Sequence, residues 1–374
     1  MNIFIIAPPV YTVSASSGSS VEISIYQITK RTANCHNITV FSRKSKKLPE
    51  VSSEGNLTIV RINGKTNYLQ KAISYAHEHN FDCIQVENRP GYVLELRKEL
   101  PNTPIILVLH SLTFLNKLST SDQDLVLQTT DAVICNSNFI KEYYIQQFPH
   151  YANKFHCIYL GVDTERFTPP TPEEKNKLLS RYFSNYAFNV LYTGRIVPGK
   201  GIHILISAVA NVRKQYPFIR LIVVGPSINK KYKKQLKIEA RQAKVPVEFW
   251  NAVKPSDIHR MYWLAHCFVC PTQLPEAFGL VNVEAMACEL PVIASRRGGI
   301  PEIIDENSGI LIDDYENPHA FARAILKIIA CPQLADSFAK KGRDVVLQKF
   351  DWDTTANRYL LFYTNFINQR SAPL

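Results

Sequence analysis

Residues 191–209 read LYTGRIVPGKGIHILISAV, an apolar strand pattern that runs through a glycine-rich turn into an apolar helix pattern. The Gly-x-x-x-x-Gly-Lys spacing is that of a nucleotide triphosphate loop, which needs Ser or Thr directly after its lysine to ligate Mg²⁺. Gly201 occupies that position, and Arg195 adds a second cation just after the first glycine. The stretch therefore predicts a strand–turn–helix unit whose turn suits a diphosphate that side chains neutralise.

Short apolar segments alternate with helical patterns on both sides of this unit. The strands predicted before it are 3–7, 38–42, 58–61, 83–86, 105–110, 132–136 and 156–159, and the later ones are 189–193, 220–225, 247–249, 268–271, 291–295 and 309–312. Residues 168–177, rich in Pro and charge, separate the two series and are typical of a linker. The rhythm predicts an α/β fold of two doubly wound, Rossmann-like domains, residues 1–170 and 186–350, facing each other across a ligand-binding cleft.

Charge and size narrow the class of protein. A length of 374 residues with 46% hydrophobic residues suits two packed domains. The formal net charge is +11, and the excess is clustered at residues 43–47 and 230–237. Such clusters favour an anionic partner, and the charge alone leaves open a nucleotide-sugar phosphate, a membrane surface or a nucleic acid. A solvated basic face is the alternative for residues 230–237.

The sequence also predicts where the protein works. It contains no apolar run of the ~18 residues that a membrane helix needs. Its first residues, MNIFIIAPPV, lack the basic start of a signal peptide and predict a strand. We therefore expect a cytoplasmic protein whose eight scattered cysteines are reduced thiols. Cys267 and Cys270 form a C-x-x-C within a predicted strand, without a second ligand pair nearby, so no metal site is predicted.

Residues 271–295, PTQLPEAFGLVNVEAMACELPVIAS, carry two glutamates around the start of a predicted helix. Glu276 lies in the loop after a strand, and the helix is predicted to begin near Gly279. The free N–H groups and positive dipole end of such a helix suit a diphosphate. Glu284 falls in the second turn, where a carboxylate can accept two hydrogen bonds from the vicinal diol of a ribose.

The E-x₇-E spacing of these glutamates resembles the signature of retaining, GT-B-fold glycosyltransferases of family GT4, the glycosyl transferases group 1. Five more segments resemble landmarks of that family, in this order: IYLGVDTERFTP (158–169), YTGRIVPGKG (192–201), RRGGIPEII (296–304), SGILIDDYENP (308–318) and FDWDTTANRYLLFY (350–363). The resemblance covers almost the whole chain. It implies that a final helix, residues 352–370, crosses back to complete the first domain, which binds the acceptor, while the second domain binds the donor.

The resemblance assigns roles to residues of the second domain. Arg195 and Lys200 would neutralise the diphosphate of a nucleotide-sugar donor. Glu276 would position the donor sugar and stabilise positive charge on its ring, and Glu284 would hold the ribose. The same loop and helix start supply the remaining donor-binding residues: Phe278, Gly279 and Leu280.

In the first domain the resemblance implies two further site residues. His110 ends a predicted strand at the place where the family has a histidine near the reacting sugar carbon. Gly18 resembles the first of two family glycines that approach the donor, and Ser19 stands in place of the second.

The implied activity is transfer of a hexose or related sugar from a nucleoside-diphosphate sugar to an acceptor hydroxyl, with retention of anomeric configuration and without a metal or other cofactor. The predicted partners are that donor and an acceptor glycan, lipid-linked molecule or protein, and no nucleic acid. The N-terminal segments resemble the spore-coat or surface-polysaccharide branch, which implies a role in bacterial cell-surface or spore-coat glycan synthesis and peripheral contact with an anionic membrane or the coat. Two alternatives remain open: a non-catalytic sugar-binding or coat-structural relative, and a P-loop nucleotide-binding protein.

Overall fold

The chain folds as two units, each built on its own sheet. A computed structural model describes residues 1–15, 18–64, 66–182 and 188–371. Met1–Gly161 and Trp352–Leu374 form the first unit, and Val162–Asp351 form the second. The predicted α/β fold with two doubly wound, Rossmann-like halves is confirmed by the order of the strands in both sheets.

The strand order of the first unit reverses between two central strands. Its strands are β1 (Asn2–Ile6), β2 (Asn37–Arg43), β3 (Val51–Glu54), β4 (Leu57–Ile62), β5 (Cys83–Glu87), β6 (Ile105–Leu109), β7 (Ala132–Cys135) and β8 (Phe155–Cys157), and its first helices are α1 (Ser20–Thr32), α2 (Tyr68–His77), α3 (Tyr92–Glu99), α4 (Thr120–Thr129) and α5 (Asn138–Gln147). The strand order is β3-β4-β2-β1-β5-β6-β7-β8, with only the β3–β4 pair antiparallel among the described strands. The order reverses between β1 and β5, and ligands of such sheets bind beside the strand carboxyl ends at that point.

The second unit repeats this design with a fully parallel sheet. Its strands are β9 (Phe188–Thr193), β10 (Ile219–Val224), β11 (Val247–Trp250), β12 (Cys267–Cys270), β13 (Val292–Ser295) and β14 (Gly309–Ile312), and its helices are α6 (Pro172–Tyr182), α7 (Ile202–Arg213), α8 (Lys230–Gln242), α9 (His259–Trp263), α10 (Leu280–Ala287), α11 (Pro318–Ala330) and α12 (Pro332–Lys349). The strand order is β11-β10-β9-β12-β13-β14. The order reverses between β9 and β12, so the loops after these two strands meet at the predicted ligand-binding edge.

The last helix, α13 (Trp352–Ser371), belongs to the first unit. It packs along α1, and an ion pair joins Arg31 of α1 to Asp353. Its aromatic side chains Tyr359 and Tyr363 are buried in the core. Neither α13 nor any other helix within the described residues is long and apolar enough to cross a membrane.

The segment predicted to be a linker, residues 168–177, is wrong in its second half, because α6 begins at Pro172. The features that suggested a linker are those of a helix start. Thr171 accepts a hydrogen bond at Oγ1 from Glu174 N (3.2 Å), and its own N donates to Glu174 Oε2 (2.9 Å). This reciprocal capping box, with Pro at the first helical position, stabilises the first turn of a helix.

The change of unit lies at Gly161–Val162, earlier than residue 170, where the first domain was predicted to end. Val162 N donates to Phe350 O (2.8 Å), and the Phe167 ring packs edge-on against Tyr262, with the ring centroids 5.9 Å apart. Trp263 Nε1 donates to Thr168 O (2.7 Å). Residues 162–170 therefore belong to the second unit because they bury their aromatic and backbone groups there.

Candidate functional site

The glycine-rich turn, residues 194–201, joins β9 to α7 at the switch point of the second sheet. Gly201 has a φ of +69°, and a Cβ atom there would lie 1.9 Å from the carbonyl oxygen of Pro271. Only glycine fits this backbone and this contact. The position that a triphosphate loop gives to Ser or Thr is thus used to bring the loop after β9 against the loop after β12. A hydrogen bond from Gln273 N to Gly199 O (2.9 Å) joins the same two loops.

Lys200 and Glu276, which come from these two loops, meet in an ion pair between Nζ and Oε1. Their side chains are 23% and 20% exposed. The backbone of Glu276 is held in place, because its oxygen accepts from Gly299 N (2.8 Å) and a Cβ atom on Gly298 would lie 2.1 Å from that oxygen. A lysine on a flexible stem thus lies against a carboxylate of fixed backbone position, where water and small ligands have access.

Arg195 lies in the same turn, and its side chain is exposed. Its carbonyl oxygen accepts a hydrogen bond from the Tyr192 hydroxyl (2.9 Å), which fixes the backbone of the turn. The guanidinium group stays outside the Lys200–Glu276 ion pair. The structure therefore brings one of the two predicted cations to Glu276 and places the other at the surface of the turn.

The helix predicted near Gly279 begins there: Gly279 is the N-cap, with a φ of +104°, and Leu280 is the first residue of α10. Phe278 is 2% exposed, and its ring packs edge-on against Phe350 at 5.6 Å between centroids. The Phe278 side chain thus serves the core, which leaves only its backbone for the predicted donor-binding role.

Glu284 lies in α10 and is held by residues that the sequence analysis did not identify. The Tyr262 hydroxyl donates to Glu284 Oε2 (2.6 Å) and lies 2.8 Å from the hydroxyl of Thr193, the last residue of β9. Although the Glu284 side chain is only half-buried, protein atoms crowd its carboxyl group. This burial raises the pKa of Glu284 to about 7, against the opposing effect of the Tyr262 hydrogen bond. The result is a carboxylate that titrates near neutrality.

Gly18 and Ser19 lie at the start of α1 in the first unit. Gly18 has a φ of +138°, and a Cβ atom there would lie 2.8 Å from Glu22 Cβ. Ser19 is the N-cap of α1, and its N–H donates to Glu22 Oε2 (2.9 Å) in a capping box. The serine that replaces the second family glycine therefore caps the helix at this position.

His110 follows β6 directly and contacts a carboxylate that the sequence analysis missed. Its Nε2 lies 2.8 Å from Oε2 of Glu87, the last residue of β5, and the two side chains are 6% and 4% exposed. Asn88, with a φ of +52°, accepts at Oδ1 from His110 N (3.2 Å). Glu87 lies one residue beyond the predicted strand 83–86, and that place at a strand end was the only signal in the sequence.

Taken together, the predicted site residues lie in two groups. Arg195, Lys200, Glu276, Phe278, Gly279, Leu280 and Glu284 follow β9 and β12 in the second unit, while Gly18 and His110 lie in the first. Within the described ranges, no three side chains among His, Cys, Asp and Glu form a group that could hold a metal ion. Cys267 and Cys270 are buried, and burial raises the pKa of Cys270 to about 12, so both behave as apolar core thiols.

Two family models match successive parts of the chain. Residues 21–166 match Glycosyltransferase Family 4, and residues 183–345 match Glycosyl transferases group 1. The second match includes the turn at Lys200 and the E-x₇-E glutamates, and the first includes His110.

Relatives align with the chain almost from end to end. Spore coat protein SA of Bacillus subtilis is 28% identical over 97% of this chain and 99% of the relative. Two solved structures share the fold. Sucrose-phosphate synthase from Thermosynechococcus elongatus has a TM-score of 0.80 and 23% identity over 98% of this chain and 99% of its own. HepE from Anabaena, solved with UDP-glucose, has a TM-score of 0.79 and 22% identity over 98% of this chain and 99% of its own. The matched segments and the two doubly wound sheets lead to one conclusion: the chain belongs to the family 4 glycosyltransferases with the GT-B fold.

Proposed function

We propose that this glycosyltransferase moves a sugar from a nucleoside-diphosphate sugar to an acceptor hydroxyl with retention of anomeric configuration. The ion pair between Lys200 and Glu276 carries the proposal. It places a cation suited to a diphosphate beside a carboxylate suited to the sugar that this diphosphate carries. The solved complex of HepE with UDP-glucose supports a nucleotide-sugar donor of this kind.

In the proposed reaction, the bond between the anomeric carbon and the donor phosphate oxygen breaks while the acceptor oxygen bonds to the same face of that carbon. The acceptor proton passes to an oxygen of the leaving diphosphate. Lys200 and Arg195 neutralise the charge that grows on the diphosphate, and Glu276 stabilises the positive charge that grows on the sugar ring. His110 binds the sugar near the anomeric carbon, and Glu284 accepts hydrogen bonds from the ribose.

Because two cations neutralise the leaving group, we propose that transfer needs no divalent metal. Activity should survive incubation with EDTA at millimolar concentration. Loss of activity that Mg²⁺ restores would contradict this part of the proposal and favour the phosphate chemistry of a P-loop protein.

A screen of nucleotide sugars tests the function directly. UDP-, GDP- and ADP-linked hexoses are compared for thermal stabilisation of the full chain and for slow hydrolysis without an acceptor. One of them should raise the melting temperature of the wild type and raise that of Lys200→Ala much less. Lys340→Ala, at an exposed position of α12, is the matched control and should behave as the wild type. No stabilisation by any member of the set, or an inverted anomeric configuration in the transfer product, would contradict the proposal.

The second candidate function is a non-catalytic sugar-binding or coat-structural role, which the near full-length match to Spore coat protein SA favours. The same screen separates the two candidates. Binding of a nucleotide sugar without hydrolysis, and without transfer to any glycan or lipid-linked acceptor, would favour the structural role.

We also propose that the protein works in the cytoplasm in cell-surface or spore-coat glycan synthesis, with peripheral contact to anionic membrane through residues 43–47. Lys46 and Lys47 of this loop are exposed, whereas Lys44 pairs with Glu50. Cations near an anionic bilayer gain ~1 kcal/mol each. The protein should therefore co-sediment with phosphatidylserine vesicles at low salt. The double variant Lys46→Gln/Lys47→Gln should co-sediment less than the wild type. Co-sedimentation that is independent of the anionic lipid would contradict this contact.

A further inference from the structure

A buried carboxylate lies directly behind His110 in the first unit. Glu87 ends β5, a strand that pairs with β1 on one side and β6 on the other, and the residue is 3% exposed. A carboxylate at such a place is costly unless other groups satisfy it with hydrogen bonds. Glu87 therefore needs hydrogen-bond partners within the protein.

Both oxygens of Glu87 are satisfied by side chains, and the chain of hydrogen bonds continues to the last helix. Oε2 lies 2.8 Å from His110 Nε2, and Oε1 accepts from Gln85 Nε2 (2.6 Å). Gln85 lies two residues earlier on β5, so its side chain is on the same face of the strand. Gln85 Oε1 in turn accepts from the hydroxyl of Tyr363 (2.7 Å), which is fully buried on α13.

The carboxylate beside His110 determines which ring nitrogen carries the proton when the imidazole ring is neutral. A carboxylate only accepts hydrogen bonds, so the nitrogen that faces Glu87 must carry a proton. In the neutral ring the proton is then on Nε2, and Nδ1 is the nitrogen that keeps its lone pair. The amide of Gln85 is oriented by the same logic, because its oxygen meets a hydroxyl donor and its nitrogen meets the carboxylate.

We propose that Glu87 is a positioning residue that holds His110 in one ring orientation and in the Nε2–H tautomer, with Gln85 and Tyr363 as its supports. The Nδ1 atom is then the only ring nitrogen able to accept a hydrogen bond from a hydroxyl of the donor sugar. The consequence for transfer rests on the proposed function, in which His110 binds that sugar. The consequence for the tautomer rests on the structure of the first unit alone.

The first experiment measures the tautomer in the full chain without substrate. Two-bond ¹H–¹⁵N correlation spectra of protein labelled at histidine distinguish protonated from unprotonated ring nitrogens, and His110→Gln assigns the signal. Wild-type His110 should be protonated at Nε2. Glu87→Gln should shift the ring toward a mixture of tautomers, because an amide can donate as well as accept.

A matched pair of variants on α13 keeps the test informative if Glu87→Gln fails to fold. Tyr363→Phe removes only the hydroxyl that supports Gln85 and should move the tautomer signal in the same direction, by less. Thr355→Val removes a buried hydroxyl of the same helix that donates to Tyr159 O (3.0 Å) outside the chain of hydrogen bonds, and should leave the signal unchanged. A wild-type ring protonated at Nδ1, or a tautomer unaffected by both Glu87→Gln and Tyr363→Phe, would overturn the inference.

Kinetics then separate the inference from the proposed function. Glu87→Gln should lower kcat by up to about a hundredfold, as a misplaced reacting group can, with a donor KM within about threefold of the wild type. The double variant Glu87→Gln/His110→Gln should be no slower than His110→Gln alone, because a positioning residue acts only through the group it positions. A double variant that is slower by the product of both effects would overturn the inference. A tautomer that shifts as expected without any change in kcat would support the positioning and contradict the role of His110 in transfer.

Discussion

Two contacts made by a glutamate carboxylate at strand ends, one in each unit, differ in how far water reaches them. His110 and Glu87 in the first unit have side chains 6% and 4% exposed. Lys200 and Glu276 in the second unit are 23% and 20% exposed. Both pairs lie at or just after the carboxyl ends of two neighbouring parallel strands in the middle of a doubly wound sheet, so the fold alone does not explain the difference.

The difference in exposure indicates which of the two contacts can be exchanged for contacts with a ligand. Separating the buried pair would leave one oxygen of the buried Glu87 carboxylate without its hydrogen-bond partner, which is strongly unfavourable. Lys200 and Glu276 are partly exposed, so water or a ligand can solvate both groups, and their separation costs less than that of a buried pair. We infer that the pair in the first unit holds a geometry, whereas the pair in the second unit can open to accept a diphosphate and a sugar.

Glu276→Gln gives the largest expected effect, because it removes the charge that would stabilise the sugar ring in the transition state. We expect kcat to fall by about a hundredfold, with a smaller rise in donor KM. Binding of the nucleoside diphosphate alone should not weaken, since the variant frees Lys200 from its carboxylate. Steady-state kinetics and calorimetry measure both, and Glu316→Gln at an exposed position is the control. Unchanged kcat would make the non-catalytic role the leading one.

Lys200→Ala tests the other member of the Lys200–Glu276 ion pair. We expect the affinity for the nucleoside diphosphate selected by the screen to fall by ~2 kcal/mol, or about thirtyfold, since a charge-assisted hydrogen bond is lost. Glu276→Gln and Lys200→Ala should thus act in different directions on the same calorimetric measurement. Equal affinity in wild type and Lys200→Ala would show that the ion pair does not open to a phosphate.

Glu284 adds a third carboxyl group to the comparison, because protein atoms crowd it within the second unit. Its folded-state pKa of about 7 lies above the ordinary value of 4.5, so the folded protein holds this proton more tightly than the unfolded chain. Its contribution to stability is therefore full below about pH 4.5 and is lost as the pH rises to about 7. Donor binding should follow the opposite course, because the ionised carboxylate is the better acceptor for ribose hydroxyls.

Glu284→Gln should remove both pH dependences. We expect the melting temperature of Glu284→Gln, relative to that of the wild type, to be higher at pH 8 than at pH 5. The donor KM of the variant at pH 8 should be about tenfold higher than that of the wild type, as for a lost charged hydrogen bond. Thermal unfolding and kinetics at the two pH values check this. A wild type and variant that differ equally at pH 5 and pH 8 would show that Glu284 does not titrate in this range.

The fold was readable from the sequence because most strands of both sheets are short and largely apolar. Predicted strands 83–86 and 105–110 differ by one residue at an end from Cys83–Glu87 and Ile105–Leu109. Two elements could not be read. The edge strand β3 is short and exposed, so it lacks an apolar pattern, and α6 begins with Pro and charged residues that also occur in linkers.

The candidate site was readable as residues but not as contacts. The turn at Lys200 and the loop at Glu276 each carry a local signal, yet they are separated by 76 positions and meet only because β9 and β12 are neighbours. Glu87 carries only the signal of its place at a strand end, and Tyr262 carries no local signal. Their roles depend on strand register and helix packing, which a single sequence does not specify.

Tyr262→Phe gives the smallest expected effect and tests whether the buried network of the second unit positions Glu284. The variant keeps the ring packing and removes the hydroxyl that donates to Glu284 and contacts Thr193. One net hydrogen bond is worth ~1 kcal/mol, so we expect donor KM to rise about fivefold at pH 7. That hydrogen bond lowers the pKa of Glu284, so its loss should move the onset of donor binding to higher pH and make the defect smaller at pH 9. Tyr232→Phe, which loses a hydroxyl bonded to His203 Nδ1 (2.9 Å) in the same unit, controls for the loss of a buried hydroxyl. Equal losses of stability in both variants, with an unchanged pH profile of KM, would show that the Tyr262 hydroxyl does not position Glu284. Among the described residues, the only side chains held in place by buried hydrogen bonds to a site residue would then be those around His110 in the first unit.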